Sequence, residues 1–418
     1  MSQFNGLERR IASILQQYPG VKQRIKNIYQ RVNYYMYADR DFVYEVADDT
    51  ELSDVPSQYD AESFTAERFF GYFDVHPWTS SMDKMLLHEI TSDEVKIIIF
   101  QNQESVYLTS SSAWNLQQGT RAQWHPTGES VLLNDLKSGN LIAKEINSSG
   151  ELISTHARPI QAVHPDGKEY LSLNYDRLDR NRPDYGYGLD RGSLPSPESD
   201  GLWKVDLESG NEEFLISLES LIERADTSVD PDNHYVNHVL YNPSGERFVF
   251  LHRWRGEEGR VSRLYVSDRD GNCWVVMDES VVSHYCWLSD SELFVWGRTR
   301  EFGNGYHIID IDSGYIKYVD TLSEWGDGHP SLSPNRRYII TDTYPDRKRQ
   351  RHLLLYDREE DDVVKIGSFF EPLKYTGITR CDLHPRWSPD GTAISFDSTH
   401  TGRRESYILD VGELVNQS

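Results

Sequence analysis

Apolar, β-branched and aromatic residues are gathered into short runs along most of this chain, and each run follows a tight polar turn. Thr127-Gly-Glu-Ser-Val-Leu-Leu, Asp166-Gly-Lys-Glu-Tyr-Leu-Ser-Leu, Ser244-Gly-Glu-Arg-Phe-Val-Phe, Ser289-Asp-Ser-Glu-Leu-Phe-Val, Pro334-Asn-Arg-Arg-Tyr-Ile-Ile and Asp390-Gly-Thr-Ala-Ile-Ser-Phe are copies of one turn-and-strand unit. A looser seventh copy begins at His76-Pro-Trp and runs into Lys84-Met-Leu-Leu. A second strand ending in a turn follows most copies, as in Leu202-Trp-Lys-Val-Asp-Leu-Glu-Ser-Gly and His307-Ile-Ile-Asp-Ile-Asp-Ser-Gly. Asp-Gly, Ser-Gly and Pro-Asp between β-rich runs are hairpin signals. Seven such units between about 64 and 412, at roughly the 40 to 50 residues a four-stranded blade needs, predict an all-β, seven-bladed β-propeller.

The first 40 residues follow a different period. Leu7, Ile11, Ile14 and Leu15 share one helical face; after an interruption at Tyr18-Pro-Gly, Val21, Ile25, Ile28 and Val32 share a second. The chain therefore divides into a basic amphipathic helical extension (1–40), a linker or closing strand (41–63), the propeller (64–412) and a tail (413–418). Net charge is −24, yet residues 1–40 carry seven basic side chains against Glu8 and Asp39. A body this acidic repels nucleic acid. The basic helical segment suits either packing on the propeller or a second subunit, or a peripheral membrane or protein contact through residues 7–36. No apolar run approaches the roughly 18 to 20 residues that cross a bilayer, and Met1-Ser-Gln-Phe-Asn-Gly lacks the features of a signal peptide, so a cytoplasmic location is expected. Three cysteines are too few and scattered for a disulfide framework or zinc cluster, although Cys286 and Cys381 lie near histidines.

Those histidines carry the candidate chemistry. His238, His284, His329 and His384 each stand three residues before the aromatic or apolar residue of a degenerate W-S-P-D-G turn, 46, 45 and 55 residues apart. Equivalent positions in consecutive blades fall on one arc of the rim around the central channel. One such histidine is ordinarily a hydrogen-bonded tie between blades; four in register can converge on a ligand. Neutral imidazoles with a carboxylate suit a divalent metal. Asp382, two residues before His384 on an extended strand, points the same way. Arg121 occupies the same register in the second repeat and is a candidate anion contact. Asp342 and Asp397, which end second strands, read as turn caps or rim carboxylates.

His284-Tyr-Cys-Trp, Gly328-His329-Pro-Ser-Leu-Ser-Pro and Cys381-Asp-Leu-His384-Pro-Arg-Trp-Ser-Pro-Asp-Gly, followed by Phe396-Asp-Ser-Thr-His-Thr-Gly-Arg-Arg-Glu-Ser-Tyr, resemble the oligogalacturonate lyases, seven-bladed propellers with TolB-like repeats. The likeness spans residues 64–412 and is specific mainly from 235 onward. It implies β-elimination on uronic-acid oligosaccharides with a divalent metal, usually manganese. It also implies His284 as the proton-abstracting base, Arg263 as the substrate arginine, and His329 and His384 as metal ligands. Where the family has a glutamine and a further histidine as ligands, this chain has Thr379 and Asp382, so the implied site is rebuilt, with Asp382 or His238, or lost.

A second constellation interrupts the third repeat: Asn174-Tyr-Asp-Arg177-Leu-Asp-Arg180-Asn-Arg182-Pro-Asp-Tyr185-Gly-Tyr187-Gly-Leu-Asp-Arg191. Arginine pairs with carboxylate or phosphate in fork geometry and tyrosine stacks on sugar rings, so Arg177, Arg182, Tyr185 and Tyr187, with His238 and Arg121, are candidate contacts to an acidic oligosaccharide. The interspersed aspartates equally allow a self-paired solvated loop. A serine-peptidase reading fails because there is no G-x-S-x-G elbow. Beside the lyase reading stand a non-catalytic, membrane-docked propeller handling envelope polysaccharide, and a glycosidase using the same rim.

Overall fold

The computed structural model describes residues 19–39, 41–55, 66–102, 104–189, 192–256, 259–416. Its strands form seven antiparallel sheets arranged as propeller blades. Blade 1 runs from Arg68–Phe69 to Glu104–Ser111, blade 2 from Gln123–Trp124 to Leu152–His156, and blade 3 from Ala162–Val163 to Glu212–Ser217. Blade 4 spans His234–Tyr241 to Cys273–Met277, and blade 5 Val282–Trp287 to Ile316–Val319. Blade 6 begins at Ser331–Leu332 and blade 7 at Arg386–Trp387.

The ring is closed from the N-terminal side. Glu51–Asp54 pairs with Glu405–Asp410 as the outermost strand of blade 7, and Tyr44–Val46 adds a fifth strand to blade 6 beside Asp362–Phe370. Stitching early strands onto the last blades pairs edges that would otherwise stay open.

The repeated turn explains itself in the coordinates. Gly391 has φ 75°, in the left-handed region glycine tolerates best, and its N–H returns to the Ser388 carbonyl at 3.0 Å. Arg336 holds the equivalent place in blade 6 at φ 62° without glycine. The aromatic of the motif ties neighbouring blades. The indole N–H of Trp124 donates to Pro77 O (2.8 Å), that of Trp287 to Leu240 O (3.3 Å) and that of Trp387 to Ser331 O (3.1 Å). Each acceptor belongs to the residue just before the motif position of the preceding blade. Between sheets lie fully buried Leu132, Leu171, Phe250, Val295 and Ile394.

Two departures from the blade pattern shape the mouth. Residues 174–200 are inserted between the second and third strands of blade 3; the insertion opens with a helix, Tyr175–Asn181, capped by the Asn174 side chain. In blade 1 the first strand stops at Phe69, and Phe70 to Asp74 swing inward to meet side chains from other blades.

The extension forms a helix over Pro19–Tyr37. Its Tyr34 ring lies 6.3 Å from Phe370, whereas Ile28 and Val32, expected on a packed face, are exposed. The first half of the expected helix pair, Leu7 to Leu15, lies outside the described residues. Among the described residues no helix is long and apolar enough to cross a membrane.

Candidate functional site

The four in-register histidines meet. Ring centroids of His284 and His329 are 4.2 Å apart, those of His329 and His384 4.4 Å, and those of His238 and His284 6.2 Å, and all four side chains are buried. Backbone strain aims them. His238 and His384 have φ 55° and 46°, and the pairing register slips between Asn237 and Leu240 and between Val282 and Tyr285, placing His238 and His284 at bulges. Bulges redirect a side chain that regular pleating would turn elsewhere. Tyr72 and Phe73 fill the centre. Tyr72 stacks on His238 at 5.2 Å and meets His384 at 4.9 Å; Phe73 lies 5.3 Å from His329 and 6.0 Å from His284.

Hydrogen bonds assign the imidazole faces. His329 Nδ1 donates to Asp342 at 2.7 Å, and His384 Nδ1 donates to Gly71 O at 3.0 Å. Burial opposes it, but Asp342 raises the pKa of His329; in the neutral rings both Nε2 atoms are lone-pair acceptors, and both are buried without a hydrogen-bond partner among the described residues. One carboxylate oxygen of Asp382 lies with them, so that ligand atoms of His329, Asp382 and His384 are all within 4.8 Å of one another, with Arg351 and Arg380 already paired to the same carboxylate. Two oriented imidazole nitrogens and an ionised carboxylate are a donor set that fits a divalent cation. Although burial alone would raise Asp382, Arg380 (2.7 Å) and Arg351 (2.9 Å) beside it hold its carboxyl well below the usual range. His238 stands outside this trio. Thr379, in place of the family's glutamine, points away, its hydroxyl bonded to the Lys374 and Thr376 carbonyls. Cys286 and Cys381 are free thiols that burial pushes up to about 12, and neither belongs to the ligand group.

His284 is held differently. Its Nδ1 lies 3.0 Å from Asp327 and 3.1 Å from the Ser283 hydroxyl. Burial lowers its pKa against the pull of Asp327, which keeps the ring neutral and basic at Nε2.

Several sequence expectations are corrected here. Arg263 does not join the cluster. It sits on the third strand of blade 4, where its guanidinium binds Asp278 and the Arg224 carbonyl and rests near Trp254. Its cross-strand partner is His252, so neighbouring Arg253 points to the opposite face, and Arg253 is the arginine whose charge reaches His238 and His284. Arg177 is a structural pin: Asp200 and the Pro231 and Pro195 carbonyls hold it. Arg121 reaches the interior at φ 57°, but Asp74 takes its guanidinium at 2.8 Å. Tyr187 stacks on Tyr175 and accepts from Asn134, away from the histidines. Tyr185 does arrive: it meets His238 edge-on with ring centroids 5.2 Å apart, and Arg182 lies over its face at 4.7 Å. Asp342 caps no turn of its own; besides His329 Nδ1 it accepts the backbone N–H groups of His329, Leu383 and His384. Asp397 likewise receives the N–H groups of Phe70 and Gly71.

Sequence reasoning missed Asp327, Arg253, Tyr72 and Phe73. Asp327 had a signal: Asp327-Gly-His329 repeats the spacing of Asp382-Leu-His384, and each aspartate turns to the histidine of the preceding blade. Tyr72 and Phe73 had none, since their contacts are made by blades far away in the chain.

No family model and no curated protein matches the sequence. Solved structures do match the fold. An oligogalacturonate lyase from Vibrio parahaemolyticus superposes with a TM-score of 0.59 at 13% identity over 88% of this chain and 98% of that one. An oligogalacturonate lyase in complex with manganese gives 0.59 at 13% over 82% and 90%. A prolyl endopeptidase gives 0.51 at 10% over 93% of this chain but 54% of its own. By fold, then, the chain is a seven-bladed β-propeller like that of the oligogalacturonate lyases.

Proposed function

We propose that the protein is a lyase-type enzyme that cleaves uronic-acid-containing oligosaccharides by β-elimination with help from a divalent metal such as manganese. The observation that carries this reading is the convergence of two orphaned imidazole nitrogens and an ionised carboxylate beside a neutral histidine whose far nitrogen is tied to an aspartate. His329, Asp382 and His384 would hold the metal, which when bound supplies a positive charge that neutralises a uronate carboxylate and acidifies the neighbouring C5–H.

His284 Nε2 takes the C5 proton; Asp327 orients the ring and stabilises the imidazolium that forms. The C5–H electron pair becomes the C4–C5 double bond as the C4–O bond breaks. The departing oxygen takes a proton, for which the Tyr72 phenol, 3.4 Å from His238 Nε2 and kept protonated by burial, is the donor this cluster offers. The positive charge of Arg253 supports the electron-rich transition state.

The second reading, a non-catalytic propeller that binds acidic polysaccharide, is favoured by the two arginines already engaged with Asp382 and by the exposed face of the Pro19–Tyr37 helix.

The test is ultraviolet absorbance of the conjugated unsaturated product over a panel of uronate oligomers, with and without manganese and after chelation. Elimination is expected to require the metal, and His284→Ala is expected to slow it by about 10²–10⁴-fold with the fold intact. Protein inert on every oligomer with metal supplied would transfer the assignment to the binding reading.

A further inference from the structure

One side chain joins the metal-type triad to the blade 3 insertion. Asp382 is wholly buried, and each of its oxygens has a guanidinium beside it: Oδ1 lies 2.9 Å from Arg351 Nη1, and Oδ2 accepts from Arg380 Nε at 2.7 Å. The two arginines are held differently. Arg351, buried on the third strand of blade 6, is clamped through Nε and Nη2 to Glu371 Oε1 at 3.0 and 2.9 Å. Arg380 lies on the segment leading into blade 7 and is partly exposed. Its other nitrogens reach the insertion, Nη1 donating to Asp184 Oδ2 at 2.8 Å and Nη2 to the Tyr185 hydroxyl at 3.4 Å.

A cation drawn to the Nε2 atoms of His329 and His384 needs an oxygen of this same carboxylate. Asp382 already has two positive neighbours for its one negative charge, and a divalent ion added within a few ångströms of both repels them strongly in a buried site. One arginine has to give way. Arg351 is fixed by its fork on Glu371, which Arg349 shares. Arg380 has an alternative, because Asp184 already accepts its Nη1; its Nε can leave Asp382 without stranding a buried charge.

The receiving end is firmly seated. Arg182 forks Asp184 through Nε and Nη2 at 3.1 and 3.0 Å, and Tyr185 packs edge-on against His238. An arginine moving from Asp382 toward this pair therefore meets groups whose positions are set by the rest of the mouth.

We propose that Arg380 is a latch: a divalent cation entering the triad displaces its guanidinium from Asp382 onto Asp184 and Tyr185, so that metal occupancy and seating of residues 182–188 are coupled. The inference rests on the metal role given to His329, Asp382 and His384 and is independent of whether elimination takes place. One hydrogen-bonded ion pair is exchanged for another, with no proton transferred. Linkage makes the coupling reciprocal, so whatever takes Asp184 away from Arg380 returns the arginine to Asp382 and weakens the metal.

Calorimetric titration of the full-length protein with manganese tests the latch without reference to turnover. Arg380→Gln is expected to bind manganese about tenfold more tightly than the parent, because a competing charge is gone, and Arg380→Lys, which keeps the charge, stays close to the parent. Asp184→Asn removes the alternative partner and is expected to weaken manganese about tenfold. In the parent, hydrogen exchange of peptides covering 182–188 slows when manganese is added, and Arg380→Gln loses that response. An arginine that only braces Asp382 gives the reverse order, with weaker metal binding in Arg380→Gln. That order, an affinity unmoved by the substitution, or exchange unaltered by saturating manganese overturns the latch. If Arg380→Gln does not fold, parent-like affinity in Asp184→Asn overturns it equally. Uptake of manganese by Arg380→Gln but not by the parent supports the latch, whereas uptake by neither overturns it together with the metal role. Manganese binding in the expected order without elimination sinks the lyase reading alone.

Discussion

The chemistry of this molecule is decided by which nitrogen of each imidazole is occupied, and that is settled one residue away from the site. Asp342 fixes His329 through its ring and its backbone, and reaches across to the N–H groups of Leu383 and His384 in the next blade. Asp342→Asn keeps the shape but offers an amide N–H where four donors converge. Divalent-metal affinity is expected to fall about 10–100-fold with secondary structure retained, as read by metal titration and circular dichroism. Of this set, the four histidines were legible from spacing, because repeat symmetry places equivalent positions at equivalent radii. Asp342 was visible only as a strand-end aspartate, since its partners come from two blades. Arg263 and Arg253 show the limit of repeat alignment: the right strands were in view, but an arginine's face depends on strand parity and register, which one residue reverses.

At the level of elements, the two closing strands and the blade 3 insertion carry most of the consequence. Tyr44–Val46 and Glu51–Asp54 cover the outer edges of blades 6 and 7, the blades that hold His329, Asp382 and His384. Deleting residues 1–54 is expected to lower Tm by several degrees and to cause aggregation visible in light scattering, because two strand edges become available for pairing. An unchanged Tm in the truncated protein would show that these strands are passengers. The insertion was legible as a loop of arginines, tyrosines and aspartates, and both readings of it hold in part. Arg177 is absorbed by Asp200 as self-pairing requires, while Arg182 and Tyr185 reach the histidines. Composition does not distinguish these fates, because they depend on which side of a short helix each residue leaves from.

For the molecule as a whole, closure of the ring places buried neutral histidines between blades, and this makes stability depend on pH. His88 donates to Phe70 O and is approached by the Thr120 N–H, joining blade 1 to the segment entering blade 2; burial lowers it to about 4. His400, packed against Phe369 and Tyr407, is lowered by burial to about 4 as well. The unfolded imidazole titrates near 6.5, so below that pH the unfolded chain binds protons the native state refuses, and stability is lost as pH falls from about 6.5 toward 4. Each group contributes roughly 1 kcal/mol of loss between pH 7.5 and 5.5. His88→Gln is expected to flatten that part of a urea-midpoint profile, and a profile as steep as the parent's would refute the assignment. By itself the sequence determined the seven-fold repeat, the all-β class and the arc of histidines, because turn chemistry and strand period are local and symmetry multiplies them. Only the tertiary structure decided that Tyr72 and Phe73 fill the centre and that Asp327 and Arg253 flank His284. Those contacts join residues up to hundreds of positions apart, and their geometry exists only once the ring has closed.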